Sequence, residues 1–258
     1  MKVEEIKAKI RGDIGKKILF YEKVGSTNTI ALDLADRTQE GTVVIADCQE
    51  KGRGRLGRSW ISPPGVNIYM SIILMPEIEP KYATLVTIMA AVACTTALRR
   101  ATALDISIKW PNDLIVSDKK LGGILTELKT DRKRILFAII GIGININIDI
   151  TEFPDDIRDI TTSVKNETGK PCSRENIVAE ILNEMNKWYM ILNTKEKEPL
   201  LAEWQHLTST LGKKVMVIVG QETYTGFAES IDNEGMLMVR LPSGEMKRIS
   251  SGDLTILR

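Results

Sequence analysis

Eight consecutive residues, Lys51 to Arg58, hold four cations and three glycines. Arginine is always charged, and its planar fork matches phosphate and carboxylate. Arg53, Arg55 and Arg58 therefore read as a clamp for an anionic ligand. Gly52, Gly54 and Gly57 make the segment flexible and let its backbone approach such a ligand closely. A solvated basic loop or a nucleic-acid contact would use the same residue types. The three glycines also spell GxGxxG, but a dinucleotide fingerprint must open directly into a helix. Here Trp60-Ile61-Ser62-Pro63-Pro64-Gly65 follows, and two prolines with a glycine exclude that helix. The chain contains no GxxxxGK[ST] phosphate loop.

Three further clusters carry polar or cationic groups in unusual settings. In Lys109-Trp110-Pro111-Asn112-Asp113, Pro111 ends a strand candidate and leaves Asn112 and Asp113 on a turn, where such residues are common. In Lys119-Lys120-Leu121-Gly122-Gly123, a lysine leads into a strand that begins with paired glycines. Its ammonium then stands beside unobstructed backbone, although an isolated lysine usually sits solvated on the surface. In Gly141-Ile142-Gly143-Ile144-Asn145-Ile146-Asn147, glycines alternate through an apolar strand, which suggests close approach of a ligand or of another backbone. Asn145 and Asn147 share one face of that strand and need hydrogen-bond partners if buried.

The elements that must position these clusters follow from periodicity. Strands are predicted at Ile18 to Tyr21, Thr42 to Ala46, Ile68 to Leu74, Ile106 to Trp110, Leu114 to Ser117, Gly122 to Leu128 and Ile135 to Ile146; the last is apolar enough for a sheet interior. A helix is predicted over Ile30 to Arg37, with Ser26 or Thr27 as its cap. Ile177, Ile181, Met185, Trp188 and Leu192 mark one face of another. Tyr82 to Leu98 carries no charge but holds threonines and is short for a membrane span, so it reads as a helix buried in a globular core. After Leu211 the texture changes to short strands at 215–219, 223–231, 236–241 and 246–249. Asp232-Asn233-Glu234-Gly235 and Pro242-Ser243-Gly244 are turn signals between them, a pattern that predicts a small β-barrel.

The 258 residues suffice for one large domain and one small one. Thirty-five Lys and Arg against 34 Asp and Glu give a net charge of +1, which offers no global signal for nucleic acid. Cys48, Cys94 and Cys172 are scattered and odd in number, which disfavours a disulfide framework or a structural zinc site and fits a reducing compartment. The N-terminus is charged throughout and lacks an apolar signal region. A soluble, cytoplasmic protein with no membrane partner is the expectation. His206 lies outside every cluster, and Cys48 has no base beside it in sequence.

Taken together, the segments Ser26-Thr27-Asn28, Gln49, Gly52 to Trp60, Lys109 to Asp113, Lys120 to Leu125 and Gly143 to Asn145 resemble the biotin–protein ligase family in order and spacing. The resemblance implies an α+β fold: a class II aminoacyl-tRNA synthetase-like catalytic domain over residues 1–209 and a small SH3-like β-barrel over 210–258. About two dozen residues precede Ser26, too few for the helix-turn-helix domain of repressor relatives. The chain thus resembles the short form, with no DNA partner.

The resemblance also implies a reaction. Biotin is activated with ATP to biotinyl-5′-AMP and then transferred to a lysine of a biotin carboxyl carrier protein. Magnesium is expected with ATP, and a homodimer is implied. Arg55, Lys120 and Asp113 take the catalytic roles. Arg55 and Lys120 hold phosphate and carboxylate, and Asp113 orients or deprotonates the carrier lysine. Ser26, Thr27, Asn28, Gln49, Arg53, Gly54, Arg55, Lys120 and Gly122 are implied for biotin. Arg55, Arg58, Trp60, Asn112, Lys120 and Asn145 are implied for ATP, with Trp60 stacking on or covering the nucleotide. The rival readings are a lipoate or octanoate ligase of the same fold, a nucleic-acid-binding module and a non-catalytic biotin sensor.

Overall fold

The structure is a computed structural model that describes residues 1–257. The chain opens with α1 (Val3–Lys7), β1 (Ile18–Val24), α2 (Thr27–Leu34), β2 (Val43–Gln49), β3 (Ile68–Leu74) and α3 (Ala83–Thr102). Then come β4 (Ser107–Lys109), β5 (Asp113–Val116), β6 (Lys119–Thr130) and β7 (Ile135–Ile144). Helices α4 (Asp155–Arg158), α5 (Val164–Thr168), α6 (Arg174–Leu192) and α7 (Glu198–Leu207) complete the larger part. The smaller part consists of β8 (Lys214–Val219), β9 (Glu222–Ile231), β10 (Leu237–Arg240), β11 (Met246–Ile249) and β12 (Asp253–Ile256).

Seven strands form one sheet in the order β1-β2-β3-β7-β6-β5-β4. Only β1 and β2 run parallel; the remaining pairs are antiparallel. Side chains alternate across a strand, so each strand supplies two faces. On one face Ile68, Met70, Ile72 and Leu74 of β3 and Ala138, Ile140, Ile142 and Ile144 of β7 join the main core with α3 and α6. Helix α3 is long and apolar enough to cross a membrane by composition. Here its Leu85, Val86, Met89, Val92 and Cys94 are buried in that core instead, where burial raises the Cys94 thiol pKa.

The opposite face is covered along only part of its length. Ala31 and Ala35 pack there on Val44, Ile73, Phe137 and Ile139. Further along the same face the residues become small or polar. Ser71 pairs in register with Gly141, and Tyr69 with Gly143. Across β7 the partners are Leu125 and Gly123 on β6. That uncovered stretch of sheet is where a ligand has room.

The second sheet is antiparallel, in the order β11-β10-β9-β8-β12. Val215, Val217, Ala228 and Leu237 continue the main core rather than forming a separate one. The short connection after α7 is tied back to the seven-stranded sheet: Trp110 N–H donates to Thr210 Oγ1 at 2.9 Å, and Ser209 N–H donates to the Ile108 carbonyl at 3.0 Å.

Several elements differ from their predicted form. Helix α2 starts at Thr27, earlier than Ile30, and the Ser26 side chain makes no capping hydrogen bond. Strand β6 already includes Lys119 and Lys120. Helix α7 and strand β12 were not predicted. The Ser250-Ser251-Gly252 stretch before β12 obscures a strand of only four residues.

Candidate active site

The uncovered sheet face forms the floor of a cavity of about 400 Å³. Two glycines on β7 keep that floor flat. A Cβ on Gly141 would lie 2.2 Å from Asn28 Oδ1, and one on Gly143 would lie 2.6 Å from the Trp60 indole. Side chains from α2 and from the segment after β2 therefore reach down onto bare backbone. At one end the floor is neutral and polar: Thr27 N–H donates to Gln49 Oε1 at 2.9 Å, and Gln49 Nε2 donates to Ser62 Oγ at 3.0 Å. Ser26 and Thr27 are buried and face the cavity with Gln49.

The cation-rich segment is a small hairpin. Trp60 N–H donates to the Gly52 carbonyl at 2.9 Å and Gly54 N–H to the Arg58 carbonyl at 2.7 Å. Arg53 and Ser59 form an antiparallel bridge between them. Its tip, Arg55 to Gly57, turns through two left-handed residues, Leu56 at φ 54° and Gly57 at φ 74°. Glycine adopts that conformation freely, whereas leucine at φ > 0 is strained. Leu56 is also 71% exposed. The hairpin touches open space on both sides, because a second cavity of about 480 Å³ lies behind it, bounded by Thr84, Thr87, Ser250 and Ser251.

Four of the cations that line the cavity, Lys120, Arg55, Arg53 and Arg58, have polar partners. Lys120 Nζ lies 2.7 Å from Asp113 Oδ1 and 5.8 Å from the centre of a Trp60 ring. Arg55 Nη1 donates to Asn112 Oδ1 at 2.7 Å. Burial lowers the Arg55 pKa, opposed by the charges of Asp113 and Asp253; a guanidinium still stays protonated there. Arg53 pairs with Glu127 at 2.7 Å. Arg58 pairs with Asp253 at the start of β12, so the smaller sheet reaches the rim of the cavity. The arrangement is a slot with neutral hydrogen-bonding groups at one end and fixed positive charge beside an acid at the other. It can hold a polar, uncharged ring and, next to it, a carboxylate or phosphate on which charge builds up.

Comparison with known proteins agrees with this geometry. Residues 20–145 match the model of the biotin/lipoate A/B protein ligase family, and residues 210–254 match the biotin protein ligase C-terminal domain. The chain is 35% identical to the bifunctional ligase/repressor BirA of Bacillus subtilis over 244 residues, which is 94% of this chain and 75% of that protein. It is 31% identical to the biotin–[acetyl-CoA-carboxylase] ligase of Paracoccus denitrificans, over 86% of this chain and 93% of that one. The chain belongs to the biotin–protein ligase family. Its fold matches the Aquifex aeolicus biotin protein ligase, solved in complex with biotin and ATP, with a TM-score of 0.81 at 30% identity. That match covers 94% of this chain and 99% of the other. The α+β architecture, with a class II synthetase-like catalytic domain and a C-terminal β domain, is thus that of the biotin–protein ligases.

Within this ligase fold, Ser26, Thr27, Asn28, Gln49, Arg53, Gly54, Arg55, Arg58, Trp60, Asn112, Asp113, Lys120 and Asn145 all line the one cavity. Gly122 does not. Strand alternation turns it to the core face, where a Cβ would meet Ile144 and Leu114, and the neighbouring Gly123 faces the cavity instead. Three asparagine side chains are largely committed within the protein. Asn28 Nδ2 donates to Glu127, Asn112 Nδ2 to the Ile124 carbonyl and Asn145 Nδ2 to the Thr162 carbonyl. Other cavity residues escaped the sequence reading. Phe153, Pro154, Asp156, Ile157 and Ile160 also line the cavity; the segment binds β6 through Lys120 N–H to the Ile160 carbonyl at 2.8 Å. Asp253 at the cavity and Ser71, buried beneath its floor, were missed too. Ser71 had a signal, since it is a polar residue inside an apolar strand and had to find a buried partner. Asp253 had none, because its partner is 195 residues away in sequence.

Proposed function

We propose that this protein activates biotin with ATP, forms biotinyl-5′-AMP and transfers the biotinyl group to a lysine of a biotin carboxyl carrier protein. One observation carries the reading: a single slot joins a neutral, hydrogen-bonding end at Ser26, Thr27 and Gln49 to a cationic end at Arg55 and Lys120. Biotin has the same two parts, an uncharged ureido ring and a carboxylate on a short arm.

A carboxylate is a poor acyl donor until its oxygen is esterified to phosphate. In the first half-reaction the biotin carboxylate attacks the α-phosphate of ATP, and pyrophosphate leaves. Negative charge gathers on the α-phosphate, where preorganised cations lower the barrier most. Arg55 and Lys120 are assigned to that charge, and Arg58 to the ATP phosphates. Ser26, Thr27 and Gln49, with the Arg53 and Gly54 backbone, take the ureido ring. Trp60 is assigned to the nucleotide, over which its flat indole can stack. Asn112 and Asn145 act at the nucleotide end, with Asn112 steadying Arg55. In the second half-reaction the carrier lysine attacks the mixed anhydride and AMP leaves. Asp113, next to Lys120, is the acid group placed to accept or orient the amine proton.

Among the described residues no group of three or more His, Cys, Asp or Glu side chains converges on a metal position. The magnesium expected with ATP is accordingly assigned to the phosphates. The reading further assigns a cytoplasmic location, a homodimer, and a division between a catalytic domain (1–209) and an SH3-like domain (210–258). Biotin-dependent exchange of labelled pyrophosphate into ATP, with lipoate in parallel, tests it. Exchange with biotin alone is expected; exchange with lipoate alone would move the protein to the lipoate ligases and overturn the ring assignments.

A further inference from the structure

A line of side-chain hydrogen bonds runs beneath the slot, and both of its ends lie on the hairpin of residues 52–60. At the first end Arg53 Nη2 donates to Glu127 Oε2 at 2.7 Å. The same oxygen accepts from Asn28 Nδ2 at 2.7 Å. Asn28 Oδ1 is 2.6 Å from Ser71 Oγ, and Ser71 Oγ is 2.8 Å from Thr27 Oγ1. Gln49 Oε1 accepts from the Thr27 amide, and Gln49 Nε2 donates to Ser62 Oγ. Ser62 Oγ then donates to the Trp60 carbonyl at 3.0 Å, back on the hairpin. A hydroxyl carries one proton, and Asn28 Oδ1 can only accept. Ser71 must therefore donate to Asn28 and accept from Thr27. That leaves Gln49 Oε1 to the Thr27 amide and gives every link one donor.

Glu127 is the anionic member of this line, and a packing role does not account for it. On β6 it stands in register with Ile139, itself in register with Ile73, in a row that is otherwise apolar. Its side chain is 28% exposed, and a carboxylate partly withdrawn from water gains from charged or hydrogen-bonding partners. Without it, Asn28 Nδ2 would keep only the Leu125 carbonyl at 3.3 Å.

We propose that Glu127 is a positioning residue of the ligase reaction. Its carboxylate holds the hairpin through Arg53 and the floor through Asn28, so the ring pocket and the cationic hairpin keep one geometry. The role in biotin capture rests on the biotin-ligase reading of the slot; the mechanical tie does not. Glu127→Ala removes both contacts. Glu127→Gln keeps the shape and loses the ion pair, and it serves if the alanine variant folds poorly.

The test combines two measurements on the full chain. Limited trypsin digestion of the ligand-free protein reads cleavage after Lys51, Arg53, Arg55 and Arg58. Pyrophosphate exchange reads KM for biotin, KM for ATP and kcat separately. In Glu127→Ala, hairpin cleavage accelerates and KM for biotin rises about tenfold, the scale of a lost charge-assisted hydrogen bond. The thermal midpoint stays near wild type, and Glu127→Gln falls between. Lys129→Ala, which removes an exposed pair with Asp36 on the same strand, leaves hairpin cleavage unchanged. Unchanged cleavage in both Glu127 variants overturns the tie. A fall in kcat with an unaltered KM for biotin overturns the role in biotin capture. A wild type that exchanges with lipoate and not biotin overturns the biotin reading alone, and the trypsin result still decides whether Glu127 holds the hairpin.

Discussion

The floor of the slot and the hairpin above it use opposite devices for one ligand. On the floor, Thr27, Asn28, Ser71, Gln49 and Ser62 satisfy one another inside the protein, on a sheet whose core face is fully packed. Little has to be ordered there when a ligand enters. The hairpin holds Arg53 and Arg58 exposed and Arg55 half-buried, with cavities on both sides and a left-handed leucine at its tip. Segments with few packed neighbours open at low free-energy cost. On the proposed reading the difference is a division of labour: the sheet carries the neutral ring contacts and Lys120, whereas Arg55 and Arg58 sit on a segment expected to close over the anhydride and keep water away.

The comparison breaks first if the cations do not matter. Arg55→Ala and Lys120→Ala are each expected to slow biotin-dependent pyrophosphate exchange by about 10²–10³-fold, the usual loss for a preorganised electrostatic contact. Both should melt near the wild-type temperature; near-normal exchange in both would remove the charge from the mechanism. A floor variant should behave otherwise. In Gly143→Ala the new methyl would sit 2.6 Å from the Trp60 ring, so the indole has to move. Overpacking of this kind costs about 1–3 kcal/mol. A lower thermal midpoint together with weaker biotin binding by calorimetry is expected, and unchanged biotin affinity would show that the floor is not the ring site.

How much of this was legible depended on whether a residue's partner was near in sequence or in a repeating pattern. The hairpin, the turn at Asn112 and the glycines of β7 stood out because their types break the local pattern, although Asp113, expected on that turn, already begins β5. The larger elements followed from period: Ile68 to Leu74 is a strand with the boundaries expected of it. Gly122 and Gly123 could not be told apart, because a one-residue choice of face depends on register, and a bulge between Leu114 and Ile115 resets that register against β5. The Ser26 or Thr27 cap failed for a related reason. Thr27 Oγ1 is taken up by Ser71, a competition between side chains that no local propensity contains, and Ser26 at the N-cap makes no side-chain capping bond. Glu127 read as an ordinary polar residue of a strand, since both of its partners lie more than 70 residues away in sequence.

Ligands should sharpen the contrast. Trypsin cleavage at Arg53, Arg55 and Arg58 is expected to slow by about tenfold or more when biotin and ATP are both present, if closure stabilises the hairpin by the ~1.4 kcal/mol that a factor of ten represents. Sensitivity unchanged by both ligands would make the hairpin a static clamp.

The smallest effect is expected where the hairpin meets the β domain. Arg58 and Asp253 pair at the surface, with side chains 64% and 39% exposed, and such pairs contribute roughly 0–1 kcal/mol. Asp253→Ala should therefore lower stability by less than about 1 kcal/mol in urea unfolding. Hairpin cleavage in the free protein should rise slightly, because one tether is gone while Glu127 still holds Arg53. A loss of several kcal/mol would mean that the hairpin is fixed to the β domain even when empty, and the contrast between a set floor and a free hairpin would fail. If instead Asp253→Ala leaves stability alone and strengthens ATP binding, the carboxylate competes with phosphate for Arg58. The β domain would then set how much charge the hairpin can offer the nucleotide.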